Sequence, residues 1–254
     1  MTVLVDVKVR CSLCGTENST AAVLSTLVDG YPDLDTRAPE MERSLLRYSV
    51  QRCSGCGYCA SDLRKRRLGV EAVVHSAKYR RQLDDDGHPE LANSFLCKAL
   101  IDYRMGRYAA ATWDLIHAAW ACDDEGWERA AQRCRSKAVR MLRKALAERQ
   151  WRDRRHGPAA VLLVDLLRRA RRFAAAERAL AEAREELQNE LGFWRDPAVC
   201  RGRWKEADRR GREISDVLRI LAFEELLIER RDASCHTVDE VFGEAVDEGS
   251  SRAP

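Results

Sequence analysis

Hydrophobic residues recur along this chain with two different periods. Over residues 3–10, Val3, Val5, Val7 and Val9 alternate with Leu4, Asp6, Lys8 and Arg10. That period of two puts one set of side chains on one face of a strand. Residues 46–52 read as a second strand. From about residue 60 the spacing becomes helical. Residues 70–83 are amphipathic and stop at Asp84-Asp85-Asp86-Gly87-His88-Pro89. Residues 91–105 follow, with Phe95, Ala99 and Tyr103 four apart, and Gly106 closes that helix. The next helix, 107–122, sets Ala111, Leu115 and Ala118 on one side. Asp123-Asp124-Glu125-Gly126 breaks the chain, with acids suited to the N-terminus of a long helix over 127–150. His156-Gly157-Pro158 separates this helix from 159–171, and further helices are expected at 174–191 and 212–231. From Asp232 onward the chain is acidic, rich in small residues and expected to be disordered.

The two strand segments lead into two cysteine pairs, Cys11-Ser12-Leu13-Cys14-Gly15 and Cys53-Ser54-Gly55-Cys56-Gly57. Each has the spacing of a metal knuckle, a tight turn that points two thiolates at one ion. The glycine after each second cysteine allows the left-handed backbone such a turn uses. Together Cys11, Cys14, Cys53 and Cys56 supply the four soft, tetrahedral ligands a structural zinc prefers. An iron–sulfur cluster uses four thiolates too, and a redox CxxC is a further alternative. A closed four-thiolate site has no open position for water, which argues against catalytic zinc. Compact ribbons separate their pairs by roughly 15–20 residues. The longer gap here implies an excursion of its own around residues 29–37. Cys59, in Cys56-Gly57-Tyr58-Cys59, is expected to replace a ligand, shield the site or simply be buried.

Composition narrows the class. With 254 residues the chain has room for a large domain, or for a small one joined to a larger one. The first ten residues lack a basic start followed by an apolar run, and no apolar stretch approaches the roughly 18 residues of a membrane span. Ten cysteines arranged around paired CxxC motifs, without an export signal, favour metal binding in a reducing cytoplasm. The net charge of +3 hides an uneven distribution: between Arg133 and Arg172 basic residues far outnumber acids, and the tail after Asp239 is acidic. Such a basic run is either a solvated helical face or a nucleic-acid surface.

The helices come in pairs. Ala99…Gly106-Arg107-Tyr108…Ala111…Ala118 resembles a tetratricopeptide repeat, an antiparallel helix pair of about 34 residues. Val164…Arg171-Arg172-Phe173…Ala176…Ala183 is a weaker copy, in which arginine replaces the turn glycine; a degenerate repeat is expected between them. The chain as a whole resembles an uncharacterised bacterial family, a domain of unknown function that joins paired cysteine knuckles to tetratricopeptide-like helices. The resemblance spans roughly residues 8–185. It rests on the two CxxCG motifs, Asp33-Leu34-Asp35-Thr36-Arg37, Tyr79-Arg80…Gln82-Leu83, Phe95-Leu96 and Ala118-Ala119-Trp120-Ala121-Cys122-Asp123-Asp124. It implies metal binding and a helical scaffold, and no reaction.

The expected architecture is therefore mainly α: a zinc-ribbon-like β module over 1–65, a tetratricopeptide-like helical domain over 66–231, and an acidic tail over 232–254. Asp33, Asp35 and Arg37 either bind a ligand or brace the zinc module against the helices. His75, His88, His117, His156 and His236 make no metal or base spacing, and Cys97, Cys122, Cys134 and Cys200 read as packing residues. Trp113, Trp120 and Trp127 fall seven apart, as in buried helix packing; Trp151, Trp194 and Trp204 lie among arginines. No nucleophilic triad, P-loop or dinucleotide fingerprint is present. The function expected is a non-enzymatic, zinc-stabilised cytoplasmic adaptor for a protein or peptide partner. A nucleic-acid-binding protein is the first alternative and a thiol redox sensor or metalloenzyme the second.

Overall fold

In the computed structural model, which describes residues 2–151 and 159–243, the chain is mainly helical with a small N-terminal sheet. Strand β1 (Val3–Arg10) pairs antiparallel with β2 (Glu17–Ser25), joining Val9 to Asn18 and Leu4 to Val23. The first knuckle forms the turn between them. Of the expected strand over 46–52, residues 46–48 end a 3-10 helix, Arg43–Tyr48, and only β3 (Gln51–Arg52) is extended. The Leu46/Tyr48/Val50 alternation is satisfied by local i→i+3 bonds such as Ser49 N–H to Leu46 O, 3.0 Å. Strand β4 (Cys59–Ala60) returns alongside β3 around the second knuckle.

The expected helix over 70–83 is two helices, α1 (Val70–Val74) and α2 (Ala77–Leu83). Ser76 divides them: its hydroxyl donates to Val73 O (2.6 Å) and accepts from Tyr79 N–H (3.3 Å). A serine that caps a new helix so well competes with continuing the old one. Helices α3 (Glu90–Arg104), α4 (Tyr108–Asp124) and α5 (Glu128–Ala147) then pack in sequence. Small buried residues, Ala118, Ala119 and Cys122 on α4 and Ala131, Cys134 and Ala138 on α5, suit a close approach of these helices. Beyond them come α6 (Ala159–Arg169), α7 (Phe173–Arg195), α8 (Pro197–Cys200), α9 (Trp204–Glu229) and α10 (Val238–Phe242), with α6, α7 and α9 packed on one another.

Five helices end in the same way. A residue in the left-handed region follows the helix: Gly106 (φ 70°), Gly126 (72°), Arg149 (52°), Arg171 (57°) and Arg231 (53°). The next N–H reaches back five residues, as in Arg107 to Asp102 O (2.8 Å), Trp127 to Cys122 O (2.8 Å) and Arg172 to Leu167 O (2.9 Å). This is the Schellman motif, which satisfies carbonyls that a helix C-terminus leaves open. After Gly106, Gly126 and Arg171 a new helix starts two residues on, through Arg107, Trp127 and Arg172 with nearly equal backbone angles. The missing glycine of the second pair thus leaves the turn intact, with Arg171 in a conformation glycine would adopt freely. Left-handed backbone costs an L-residue about 1–2 kcal/mol, while a cation at a helix C-terminus returns about 0.3–1 kcal/mol. Arg171→Gly is therefore expected to raise stability by about 0.5 kcal/mol, read as a higher urea midpoint. A lower midpoint would mean that the Arg171 side chain outweighs the strain.

The chain divides into two compact units, one from the described residues of 1–30 and 38–152, the other from those of 31–37 and 153–254. The division does not follow the sequence boundaries at residues 65 and 231, because the second knuckle is built into the first helices and residues 232–243 are structured. The rest of the expected acidic tail, 244–254, lies outside the described residues, as does the His156-Gly157-Pro158 separator. In the second unit residues 31–37 lie against the chain after α9. Asp33 pairs with Thr237, Leu34 N–H donates to His236 O (2.9 Å), and Val238 N–H to Pro32 O (2.9 Å).

Several arginines of the basic run are internal. Arg135 is buried and paired with Asp123; Arg168 is fully buried between Asp165 and Glu224; Arg169 is buried against Asp35. Arg152, Arg154 and Arg155 lie outside the described residues.

Candidate metal centre

Each cysteine pair sits in a turn closed by the same two hydrogen bonds. In the first, Cys11 N–H donates to Thr16 O and Gly15 N–H to Cys11 O, both 2.9 Å; in the second, Cys53 N–H donates to Tyr58 O (2.8 Å) and Gly57 N–H to Cys53 O (2.9 Å). Gly15 (φ 77°) and Gly57 (φ 75°) take the left-handed conformation that the sequence requires of them. The matching turns face one another and bring Cys11, Cys14, Cys53 and Cys56 together, with all four sulfurs within 4.8 Å of one another. Cys11 Sγ lies 3.8 Å from Cys56 Sγ, and Cys14 Sγ 3.5 Å from Cys53 Sγ. Four sulfurs at about 2.3 Å from one ion stand about 3.8 Å apart in a regular tetrahedron. The four cysteines could thus hold a metal ion with little movement.

The surroundings suit thiolates unevenly. Cys11 and Cys53 are buried, Cys56 is half-buried and Cys14 is exposed. The Thr16 hydroxyl, 3.2 Å away, and the Thr16 backbone N–H hold the Cys14 thiol down at about 6, while burial pushes Cys11 and Cys56 up. A cation among the sulfurs would offset that burial cost. Asn18, on β2, bridges the two knuckles: its side-chain N–H groups reach Thr16 O (2.9 Å) and Cys53 Sγ (3.7 Å), and its Oδ1 accepts from Ser54 N–H (2.8 Å). Nothing in the CxxCG spacing points to Asn18. Its signal in the sequence is only its position as the second residue of the strand leaving the first knuckle.

The second knuckle is also tied to the helices. Tyr79 Oη donates to Gly57 O (2.9 Å) and accepts from Cys59 N–H (3.1 Å), and Arg80 Nη1 donates to Cys56 O (3.0 Å). A Cβ added at Gly57 would lie 2.3 Å from Leu83 Cδ2, whereas one at Gly15 would meet nothing within 4 Å. Gly15→Ala is expected to cost about 1 kcal/mol of backbone strain, and Gly57→Ala about 2 kcal/mol or more, since overpacking adds to the same strain. Thermal unfolding of the metal-loaded variants checks this; equal losses would mean that the knuckle and α2 are not closely packed.

The structure keeps Cys59 out of the four-sulfur cluster. It is buried, and its thiol donates to Gly57 O at 3.5 Å. Cys97, Cys122 and Cys134 are fully buried in the helices, as expected of packing residues, and Cys200 donates to Trp194 O (2.9 Å). Asp33, Asp35 and Arg37 are buried, with Asp35 paired to Arg169, which favours the brace over a displayed ligand site; the brace acts within the second unit. His88 is held by Asp85 (2.8 Å), and His236 lies between Glu240 (2.6 Å) and Asp232 (3.1 Å). Of the tryptophans seven apart, Trp120 is buried and Trp113 stacks on Trp151 (ring centroids 5.3 Å apart), but Trp127 is 44% exposed at its turn. No helix among the described residues is long and apolar enough to cross a membrane. No protein-family model matches the chain, and no curated protein or solved structure matches it.

Proposed function

We propose that the protein is a non-enzymatic cytoplasmic adaptor in which a structural zinc, held by Cys11, Cys14, Cys53 and Cys56, fixes a ribbon-like module. Paired helices of tetratricopeptide type would present a surface to a protein or peptide partner. The observation that carries this reading is the closed donor set. Four thiolates at tetrahedral spacing complete the coordination of a zinc ion, and such sites stabilise a fold rather than bind substrate. The recurring three-residue turn centred on Gly106, Gly126 and Arg171 supports a repeated helix-pair unit. Stacked helix pairs of that kind form extended binding surfaces. Ten free cysteines suit a reducing compartment.

The nucleic-acid alternative is weakened in its helical part, since Arg135, Arg168 and Arg169 are committed to internal ion pairs. The redox alternative loses Cys59 as a ligand. The adaptor reading is tested by affinity capture on the metal-loaded protein from nuclease-treated host extract. A captured protein is then purified and titrated by analytical ultracentrifugation. A stoichiometric complex that survives high salt is the expected result. Capture that vanishes with nuclease and falls steeply with salt would contradict it, because counterion release is the mark of phosphate-backbone binding.

A further inference from the structure

The loop after the second knuckle carries four successive basic residues, Arg64-Lys65-Arg66-Arg67, and beneath it opens a cavity of about 510 Å³. That volume falls within the range of about 300–1,000 Å³ typical of small-molecule sites. Five basic side chains line it, Lys65, Arg66, Arg67, Lys98 and Arg107, against two carboxylates, Asp62 and Asp102. The carboxylates are already engaged. Arg64 takes Asp62 through both oxygens, Nε to Oδ1 at 2.9 Å and Nη2 to Oδ2 at 3.1 Å. Lys98 is held between Asp114 (2.7 Å) and Asp102 (3.1 Å), and Arg107 also takes Asp102 (3.2 Å).

The cations of the loop are held only loosely. Lys65 is 3.7 Å from Asp62, Arg66 is 4.0 Å from Glu71, and Arg67 has no carboxylate partner among the described residues. The loop itself is anchored. Leu63, just before it, is buried and its carbonyl accepts from Ser12 N–H (2.9 Å), and buried Tyr58 donates its hydroxyl to Lys65 O at 3.0 Å. Tyr58, Val70 and Ile101, all nearly buried, add apolar atoms to the cavity lining. Several guanidinium and ammonium groups over one cavity suit a phosphate, whose oxygens can accept from more donors than those of a carboxylate can. The apolar lining suits an organic group attached to that phosphate.

We propose that this cavity is a binding site for a small phosphorylated organic molecule, with Lys65, Arg66 and Arg67 on the phosphate and Val70 and Ile101 against the organic part. The site goes beyond the adaptor reading and does not depend on it. The test is calorimetric titration of the full, metal-loaded chain with phenyl phosphate, inorganic pyrophosphate, benzoate and a short single-stranded oligonucleotide. The same titrations are run on Arg66→Ala/Arg67→Ala; because these side chains are exposed, its circular dichroism spectrum is expected to match that of the wild type. The expected result is saturable 1:1 binding of phenyl phosphate, at least about tenfold tighter than benzoate and at least about tenfold weaker in the double variant. Failure of both phosphates to bind, or equal affinity in wild type and variant, would overturn the proposal. Binding of the oligonucleotide alone would also overturn it and assign the basic loop to nucleic acid.

Discussion

Replacing Cys53 with serine is expected to abolish stoichiometric metal binding and to unfold both knuckles while most of the helical signal persists. Cys53 is a buried member of the four-cysteine cluster, and Asn18 contacts it across the two turns. A structural zinc site of this kind contributes on the order of 10 kcal/mol of apparent binding free energy, and serine offers a hard, protonated oxygen in place of a soft thiolate. The loss of affinity should exceed the roughly 10–100-fold typical of outer-shell changes, which is the size expected for Asn18→Ala. Hydrogen exchange resolves where stability is lost. Amides of residues 11–16, 53–58 and the β1–β2 hairpin should lose protection, because an isolated two-stranded hairpin is marginal in water. Protection in α2 should fall partway, since Tyr79 and Arg80 bond to the second knuckle. Amides in α4 and α5, which carry a packed core of their own, should remain protected. Loss of protection throughout the chain would show that the metal organises far more than its own turns.

Truncating Arg168 is the second large effect. Its guanidinium is fully buried, bonded to Glu224 (2.6 Å), Asp165 (2.7 Å) and the carbonyls of Asp232 (3.0 Å) and Ser234 (2.9 Å). Arg168→Met removes the cation and leaves buried carboxylates behind, a change that costs about 3–5 kcal/mol. Burial already pushes Glu224 up from 4.5 to about 8, and loss of Arg168 raises it further. A carboxylate whose folded pKa lies above its unfolded value makes the folded state bind more protons, so stability falls as pH rises through that interval. The deficit of the variant should therefore be nearly constant below about pH 8 and grow as pH rises above it, where Glu224 ionises beside Arg168 in the wild type but stays protonated in the variant. Arg168→Met/Glu224→Leu should recover part of the loss, because apolar replacement of a buried pair is often tolerated. Denaturant melts at several pH values check both points. A deficit that does not grow above pH 8 would mean that loss of Arg168 leaves Glu224 where it is in the wild type.

How much of the fold is readable in the sequence depends on how local each signal is. A CxxCG knuckle is set within five residues, and four soft ligands have one obvious way to meet, so the cysteine cluster is legible from spacing alone. The long helices are legible from their apolar period. The break at Ser76 is not, because its cap works against a periodicity that runs straight through it. The Leu46/Tyr48/Val50 alternation mimics a strand where i→i+3 bonding prevails. Arg149, Arg171 and Arg231 occupy left-handed positions that propensity assigns to glycine, which is why the second helix pair reads as degenerate. The buried arginines are hidden for another reason. Arg168 meets Glu224 only through the packing of α6 with α9, and nothing near either residue marks them as internal. The strap at residues 31–37 likewise finds its partners some 200 residues downstream, around Thr237.

Whether the four cysteines form one closed zinc site is decided by metal analysis of freshly purified protein combined with X-ray absorption at the metal edge. One zinc per chain, surrounded by four sulfur neighbours at about 2.3 Å, is the expected result. Iron with acid-labile sulfide, an oxygen or nitrogen neighbour bonded to the metal, or protein that is folded at residues 11–16 and 53–58 without any metal would contradict it.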